Sequence, residues 1–415
     1  MPPLRGARAA GVFACFAAGY LLSYGLRAIN AVIAPALAAE LGLSNADLGM
    51  LSSAYFLAFA SVQLPLGAWL DNYGARRTEA ALLLCAALGA AIFASSSTLA
   101  GLWIGRALIG VGVSACLMAA FHAYRQWFAP ERQGQLASWM LVAGTGGALF
   151  ATVPVTLALP LLGWRGVFWL VTLLLLLVAA AIFFLLGAVE REFAPSRTLA
   201  PGAAKGGYRV VIQSPYFWRM GLLGLVNQGS FVALQTLWAG PWMTGVLGKT
   251  PAQAAAILFA INLVLMLGYL AQGWSAPRLA ARGWRIERII AIGLGGALLA
   301  QGALLAASGP DAWLWWLALA LCVPVTTLAQ SHVGLAFPAA LSGRANSAYN
   351  LLLFVGAFAA QWGIGVLADA FKAGGLAPPQ ALRAAIACVV ALQVASYLHF
   401  LFSRSQPDPV EAALR

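Results

Sequence analysis

The chain has 415 residues, of which 62% are apolar and only 9% charged, with a mean hydropathy of +0.85. Soluble globular proteins carry about 25% charged residues, so this composition excludes a water-soluble fold and requires a surface that faces hydrocarbon. The net charge of +12 does not point to nucleic acid, because the basic residues form short clusters between apolar runs, where they fix topology. The cysteines, Cys15, Cys85, Cys116, Cys322 and Cys388, are odd in number and each sits in an apolar run. Neither a disulfide framework nor a metal site is expected from them.

A spanning helix needs about 20 mostly apolar residues. In chain order twelve stretches qualify, roughly 9–34, 48–69, 79–98, 100–121, 136–159, 166–187, 217–239, 252–274, 288–308, 312–335, 347–369 and 381–402. The first follows Arg5 and Arg8 but is too long for a signal peptide and lacks a clear cleavage site. Between the first two spans, in the expected outer loop 38–47, Ser44-Asn45-Ala46-Asp47 can cap the second. With both termini placed in the cytoplasm, eighteen of the 24 basic residues fall on the cytoplasmic side, and Arg165, Lys249, Lys372 and Arg383 on the other. Arg27 and Arg106 fall inside spans. This asymmetry is the positive-inside pattern of a multi-pass cell inner-membrane protein with an even number of spans. One stretch, 188–216, reads as a linker, with Glu190, Arg191, Glu192, Pro195, Pro201, Lys205 and Gly206. The expected organisation is therefore an all-α integral membrane protein of twelve transmembrane helices. It comprises a six-helix bundle over 1–187, a cytoplasmic linker over 188–216, a second six-helix bundle over 217–403 and a cytoplasmic tail over 404–415.

A shift of 209 residues brings Leu70, Gly74 and Arg76 onto Leu279, Gly283 and Arg285, and Phe128, Gly134, Ser138 and Gly147 onto Phe337, Gly343, Ser347 and Gly356. One offset serving two regions at half the chain length indicates two homologous bundles in the same orientation.

The loop after the second span reads Gly67-Ala68-Trp69-Leu70-Asp71-Asn72-Tyr73-Gly74-Ala75-Arg76-Arg77. Gly67 allows close helix approach, Gly74 suits a tight turn, and Asp71 can accept backbone N–H bonds at a helix start. The pattern resembles the G-x-x-x-D-x-x-G-x-[RK]-[RK] signature of the major facilitator superfamily. Arg106-Ala107-Leu108-Ile109-Gly110-Val111-Gly112 in the fourth span resembles that family's R-x-x-x-G-x-G segment. The resemblance implies a gating role for Gly67, Asp71, Gly74, Arg76 and Arg77, as a latch that forms and breaks during alternating access. The second copy has Ala280 in place of Asp71 and is expected to latch more weakly.

In the first span Tyr20, Ser23, Tyr24, Arg27 and Asn30 recur at intervals of three and four, which places them on one helix face that lipid would not tolerate. Arg27 can contact substrate or snorkel to the interface, and Arg106 can bind substrate or backbone carbonyls. Neither has a carboxylate deep in the first bundle by this reading, which puts Asp71 and Glu79 at the cytoplasmic boundary. Buried cations without internal anions favour an anionic ligand, and arginine suits carboxylate or phosphate. Gln235, Trp238, Asn350 and Gln361 in the second bundle can line the uncharged side of such a site, or can hold helices together.

Tyr24 to Gly49 is similar to the organic-anion symporter branch of the superfamily. There a Tyr-x-Asp-Arg pattern assigns the arginine to substrate and the aspartate to protons. Leu26 stands where that aspartate would be, so protons stay a candidate coupling ion without a carrier at this position. His332 is a second titratable candidate. The expected protein is a secondary active transporter, not an enzyme, with no cofactor and no metal. It would act as a monomer on a small organic anion, a carboxylate or sugar acid. The alternative is a multidrug or metabolite efflux transporter, ranked lower because its proton-coupled forms need a membrane-buried carboxylate.

Overall fold

The computed structural model describes residues 4–129, 132–193, 207–309, 311–337 and 339–403, and among them every regular element is a helix. The middle of the expected linker, 194–206, and the tail, 404–415, lie outside the described residues, as does the side chain of Asp71. Hydrocarbon offers no partner for backbone N–H and C=O groups, so a chain this apolar has to satisfy them within helices.

The first unit comprises Met1–Leu43, Met50–Ala200 and Pro251–Phe259. Its helices are α1 (Gly6–Ala28), α2 (Asn30–Leu41), α3 (Asn45–Ser95, entering this unit at Met50), α4 (Leu99–Gly112), α5 (Cys116–Trp127), α6 (Gln133–Phe150), α7 (Val153–Leu185) and α8 (Gly187–Glu192). Two glycines break what would otherwise be unbroken rods. Gly74 (φ 78°) divides α3 and Gly163 (φ 62°) divides α7, both in backbone that a side chain would strain. The core is filled by Phe16, Phe56, Leu83, Phe93, Tyr124 and Phe168, each no more than 1% exposed. Leu157, Leu161, Phe184 and Leu185 on α7 stand out from the bundle, as side chains that face lipid do.

The second unit comprises Ser44–Gly49, Pro201–Thr250 and Ala260–Arg415. It holds α9 (Gly207–Gln213) and α10 (Pro215–Leu222), then a rod that alternates between α and π geometry. The π segments are Leu223–Gln228, Leu234–Trp238 and Trp242–Val246, separated by α11 (Gly229–Ala233) and α12 (Ala239–Pro241). Next come α13 (Pro251–Ala281, in this unit from Ala260), α14 (Ile286–Ala306), α15 (Leu314–Cys322), α16 (Leu328–Leu335), α17 (Ala339–Ala373) and α18 (Pro378–Phe402). Tyr216, Phe217, Met220, Ile290, Leu294 and Tyr349 belong to its core.

Among the described residues nine helices are long and apolar enough to cross a membrane, and three apolar ones are shorter: Asn30–Leu41, Trp139–Phe150 and Leu314–Gln330. The expected first span, 9–34, is divided at Ile29 into α1 and α2. The expected seventh, 217–239, is the α/π rod.

Each unit repeats one close helix crossing. A methyl group added at Gly147 on α6 would strike the carbonyl oxygen of Leu21 on α1, and one at Gly356 on α17 would strike the carbonyl oxygen of Leu225. These two glycines are the pair that the 209-residue shift superimposes. Gly283, the counterpart of Gly74, likewise has a left-handed φ of 81°. The reciprocal cap at Ser44 and Asp47 is formed: Ser44 N and Oγ donate to Asp47 Oδ2 at 3.0 and 2.7 Å, and Asp47 N donates to Ser44 Oγ at 3.1 Å.

Candidate functional site

The tyrosines of α1 share a face and stack edge to face, with Tyr20 and Tyr24 ring centroids 5.1 Å apart. Gly144 on α6 leaves them room, since a Cβ there would come within 2.5 Å of the Tyr20 ring. One turn beyond Tyr24, the Arg27 guanidinium carbon lies 4.7 Å from the Tyr24 ring centroid, 5.4 Å from that of Phe59 and 5.9 Å from that of Tyr55. Tyr55 and Phe59 are four residues apart on α3, so both reach the same side. The cation is thus presented inside three aromatic faces, an arrangement worth about 2 kcal/mol or more per favourable face when desolvated. Sequence reasoning found the α1 residues and missed Tyr55 and Phe59. Their i, i+4 spacing on the second span was the available signal.

Asn30 does not join this cluster. The backbone stays helical through Ile29, and Asn30 meets α4 instead, where its Oδ1 accepts from Arg106 NH2. Arg106 NH1 donates to Leu26 O at 3.1 Å, and the guanidinium carbon lies 4.7 Å from the Phe93 centroid and 5.1 Å from that of Phe168. Arg106 is fully buried. Its hydrogen bonds join α4 to the junction of α1 and α2, the helix-positioning role that the sequence left open for it.

The carboxylate expectation needs correction. Glu79 is not at a water boundary: it is fully buried in α3, and neither of its oxygens has a hydrogen-bond partner among the described residues. Its neighbours are Gly19 of α1 and the Cys116 thiol of α5, a weak donor. The sequence signal was present, since Glu79, Leu83, Ala86 and Ala90 continue one buried stripe at helical spacing.

In the loop after the second span Arg76 is held within its own unit. Its Nε lies 2.5 Å from Glu190 Oε2, its NH1 donates to Phe183 O at 2.8 Å, and its guanidinium covers the Phe183 ring at 4.7 Å. The Arg76 side chain is 12% exposed. Its counterpart Arg285 is 78% exposed and meets Glu287 only at 4.0 Å. Gly67 and Arg77 are exposed.

The amides of the second unit largely serve one another. Gln235 Nε2 donates to Asn262 Oδ1 at 2.8 Å, Trp238 Nε1 to Gln361 O at 3.0 Å, and Gln361 Nε2 to Thr236 Oγ1 at 3.3 Å. Thr236 is the counterpart of Arg27 under the 209-residue shift, so a neutral hydroxyl replaces the cation there. Tyr349 donates to Gln228 Oε1 at 2.9 Å, and Asn350 is buried nearby in sequence. His332 Nε2 lies 3.4 Å from Glu287 Oε1.

Internally repeated helical units with exposed apolar flanks, the first of them enclosing Arg27 and Arg106, make up a multi-pass membrane protein. The chain belongs to the major facilitator superfamily, whose family model matches residues 16–361. The hexuronate transporter of Escherichia coli is 28% identical over 154 residues, 36% of this chain and 35% of that protein. The probable sulfoacetate transporter SauU of Cupriavidus necator is 28% identical over 152 residues, with the same two shares. The chain thus spans about a third of the length of the curated relatives it matches. A crystal structure of a bacterial homolog of the human lysosomal transporter Spinster, inward-facing and unoccupied, has the same fold. It superimposes with a TM-score of 0.79 at 17% identity, covering 97% of this chain and 98% of that one.

Proposed function

We propose that this protein is a secondary active transporter of a small organic anion, a carboxylate or sugar acid, recognised by Arg27. The observation that carries the reading is the Arg27 guanidinium enclosed by Tyr24, Tyr55 and Phe59 in the first unit. Aromatic faces and a hydrogen bond with Tyr55 stabilise the cation without neutralising it, so a carboxylate that reaches it adds charge-assisted bonds. The aromatic walls suit the C–H face of the same solute. Tyr20 packs edge to face on Tyr24. The relatives named for hexuronate and sulfoacetate, both anions, support this substrate class. Transport proceeds by alternating access, with Gly67, Asp71, Gly74, Arg76 and Arg77 as the gating loop. The distribution of basic residues supports an inner-membrane protein with both termini in the cytoplasm.

A second reading, proton-coupled efflux of amphipathic compounds, gains from the buried carboxyl of Glu79. Uptake of radiolabelled glucuronate into proteoliposomes separates the two. Saturable uptake that sulfoacetate competes away, and that Arg27→Ala weakens by roughly tenfold or more, is the expected result, since a charge-assisted bond is worth about 1.5–3 kcal/mol. Undiminished uptake by Arg27→Ala, or preferential movement of cationic dyes, would overturn the anion reading.

A further inference from the structure

Glu79 is a carboxyl group in a place where a carboxylate cannot be supported. It is fully buried, neither oxygen has a hydrogen-bond partner among the described residues, and it lies in the membrane-spanning stretch Asn72–Ser95. Transferring an unpaired carboxylate into such surroundings costs many kcal/mol, so the group takes up a proton instead. The cavity is shaped around it: a methyl group at Gly19 would stand 2.6 Å from Glu79 Oε1 and 3.8 Å from Cys116 Sγ. The titratable side chains facing it are Cys15 on α1 and Cys116 and Tyr124 on α5. None is a cation. The Tyr124 hydroxyl is directed to Met140 Sδ at 3.4 Å, so it does not serve as a donor to the carboxyl.

We propose that Glu79 is the proton-carrying residue of the transport cycle, holding its proton while α1 covers it and releasing it to the cytoplasm with the anion when that cover opens. This deepens the anion-transport reading and rests on it. The link is α1, which closes over Glu79 with Gly19 and presents Arg27 eight residues further on, about 12 Å along the helix. A movement of α1 that answers the filling or emptying of the Arg27 cage also opens or closes the cover over Glu79. When water reaches the carboxyl, its O–H bond breaks, the proton passes to water and the electron pair stays on the oxygen. One proton then accompanies each monoanion, and net transport is electroneutral. The residue supplies what Leu26 removes from the first span, a membrane-embedded acid, from a different helix.

Two measurements test this. Infrared spectroscopy of the reconstituted protein at neutral pH is expected to show the C=O stretch of a protonated carboxylic acid, absent in Glu79→Gln. No difference between the two spectra overturns the assignment whatever the substrate is. In proteoliposomes loaded with a pH dye, external glucuronate is expected to acidify the lumen. Glu79→Gln is expected to reduce that signal to the empty-liposome background while keeping glucuronate counterflow, which needs no proton. If Glu79→Gln still couples protons, Glu79 is not the carrier. If the wild type moves no glucuronate at all, the anion reading fails while the infrared result stands by itself. The infrared measurement on wild type, followed across pH, decides the protonation even where the variant folds poorly.

Discussion

Arg106 of α4 donates through NH2 to the Oδ1 of Asn30, the first residue of α2, across 76 positions of sequence and out of contact with water. The pair holds three helices at one point, because NH1 of the same guanidinium bonds the carbonyl of Leu26 in α1. Removing either partner leaves a buried polar group unsatisfied, which costs more than the bond itself contributes. Asn30→Leu is expected to destabilise the protein in detergent by about 2–3 kcal/mol. Arg106→Lys is expected to be at least as harmful, since one ammonium cannot span both acceptors. Thermal unfolding measured for both variants checks this. Midpoints matching wild type would mean that the guanidinium is not a structural tie.

The repeated crossing of Gly147 with Leu21 and of Gly356 with Leu225 leaves no space for a methyl group, and the obstructing atoms are backbone. Gly147→Ala and Gly356→Ala should each destabilise by about 1–3 kcal/mol or more. Gly146→Ala and Gly363→Ala meet nothing within 4 Å and should be close to neutral. Fluorescence-detected elution profiles after graded heating compare the four. Equal behaviour of neighbours 146 and 147 would contradict the packing described.

Glu40 of α2 accepts from Arg165 NH1 and, at 2.6 Å, from Trp164 Nε1. The Arg165 and Trp164 bonds hold the Glu40 carboxyl below its ordinary value of 4.5. A lowered folded-state value means that the stabilisation is complete above pH 4.5 and is lost as pH falls through the lower folded value. Glu40→Gln should therefore flatten the decline in unfolding temperature as pH falls below 4.5. An unchanged decline would show that other carboxyls govern it.

Arg76 and Glu190 form a better shielded contact than Arg285 and Glu287, with the first pair 12% and 24% exposed. A double-mutant cycle with Arg76→Gln and Glu190→Gln should give a coupling of about 1 kcal/mol, while Arg285→Gln, at an exposed site, should have little effect. Cysteine accessibility at both mouths should shift in Arg76→Gln if the loop gates. Unaltered labelling would leave the pair a purely structural contact.

Local chemistry written along the chain determined much of this protein. Apolar runs must become helices in lipid, left-handed positions fall to Gly74 and Gly283, and Ser44 with Asp47 closes its cap, all because these depend on neighbours within a few residues. The same is true of the stacked tyrosines of α1, since helical spacing alone aligns them. What surrounds a side chain across helices was decided by tertiary structure. Tyr55 and Phe59 complete the cage around Arg27, Arg106 turns away to Asn30, and Glu79, two residues after Arg77, ends up dry against Gly19. Whether a polar group meets water, a ring or an empty partner depends on which helices cross beside it, and a one-dimensional pattern does not contain those crossings.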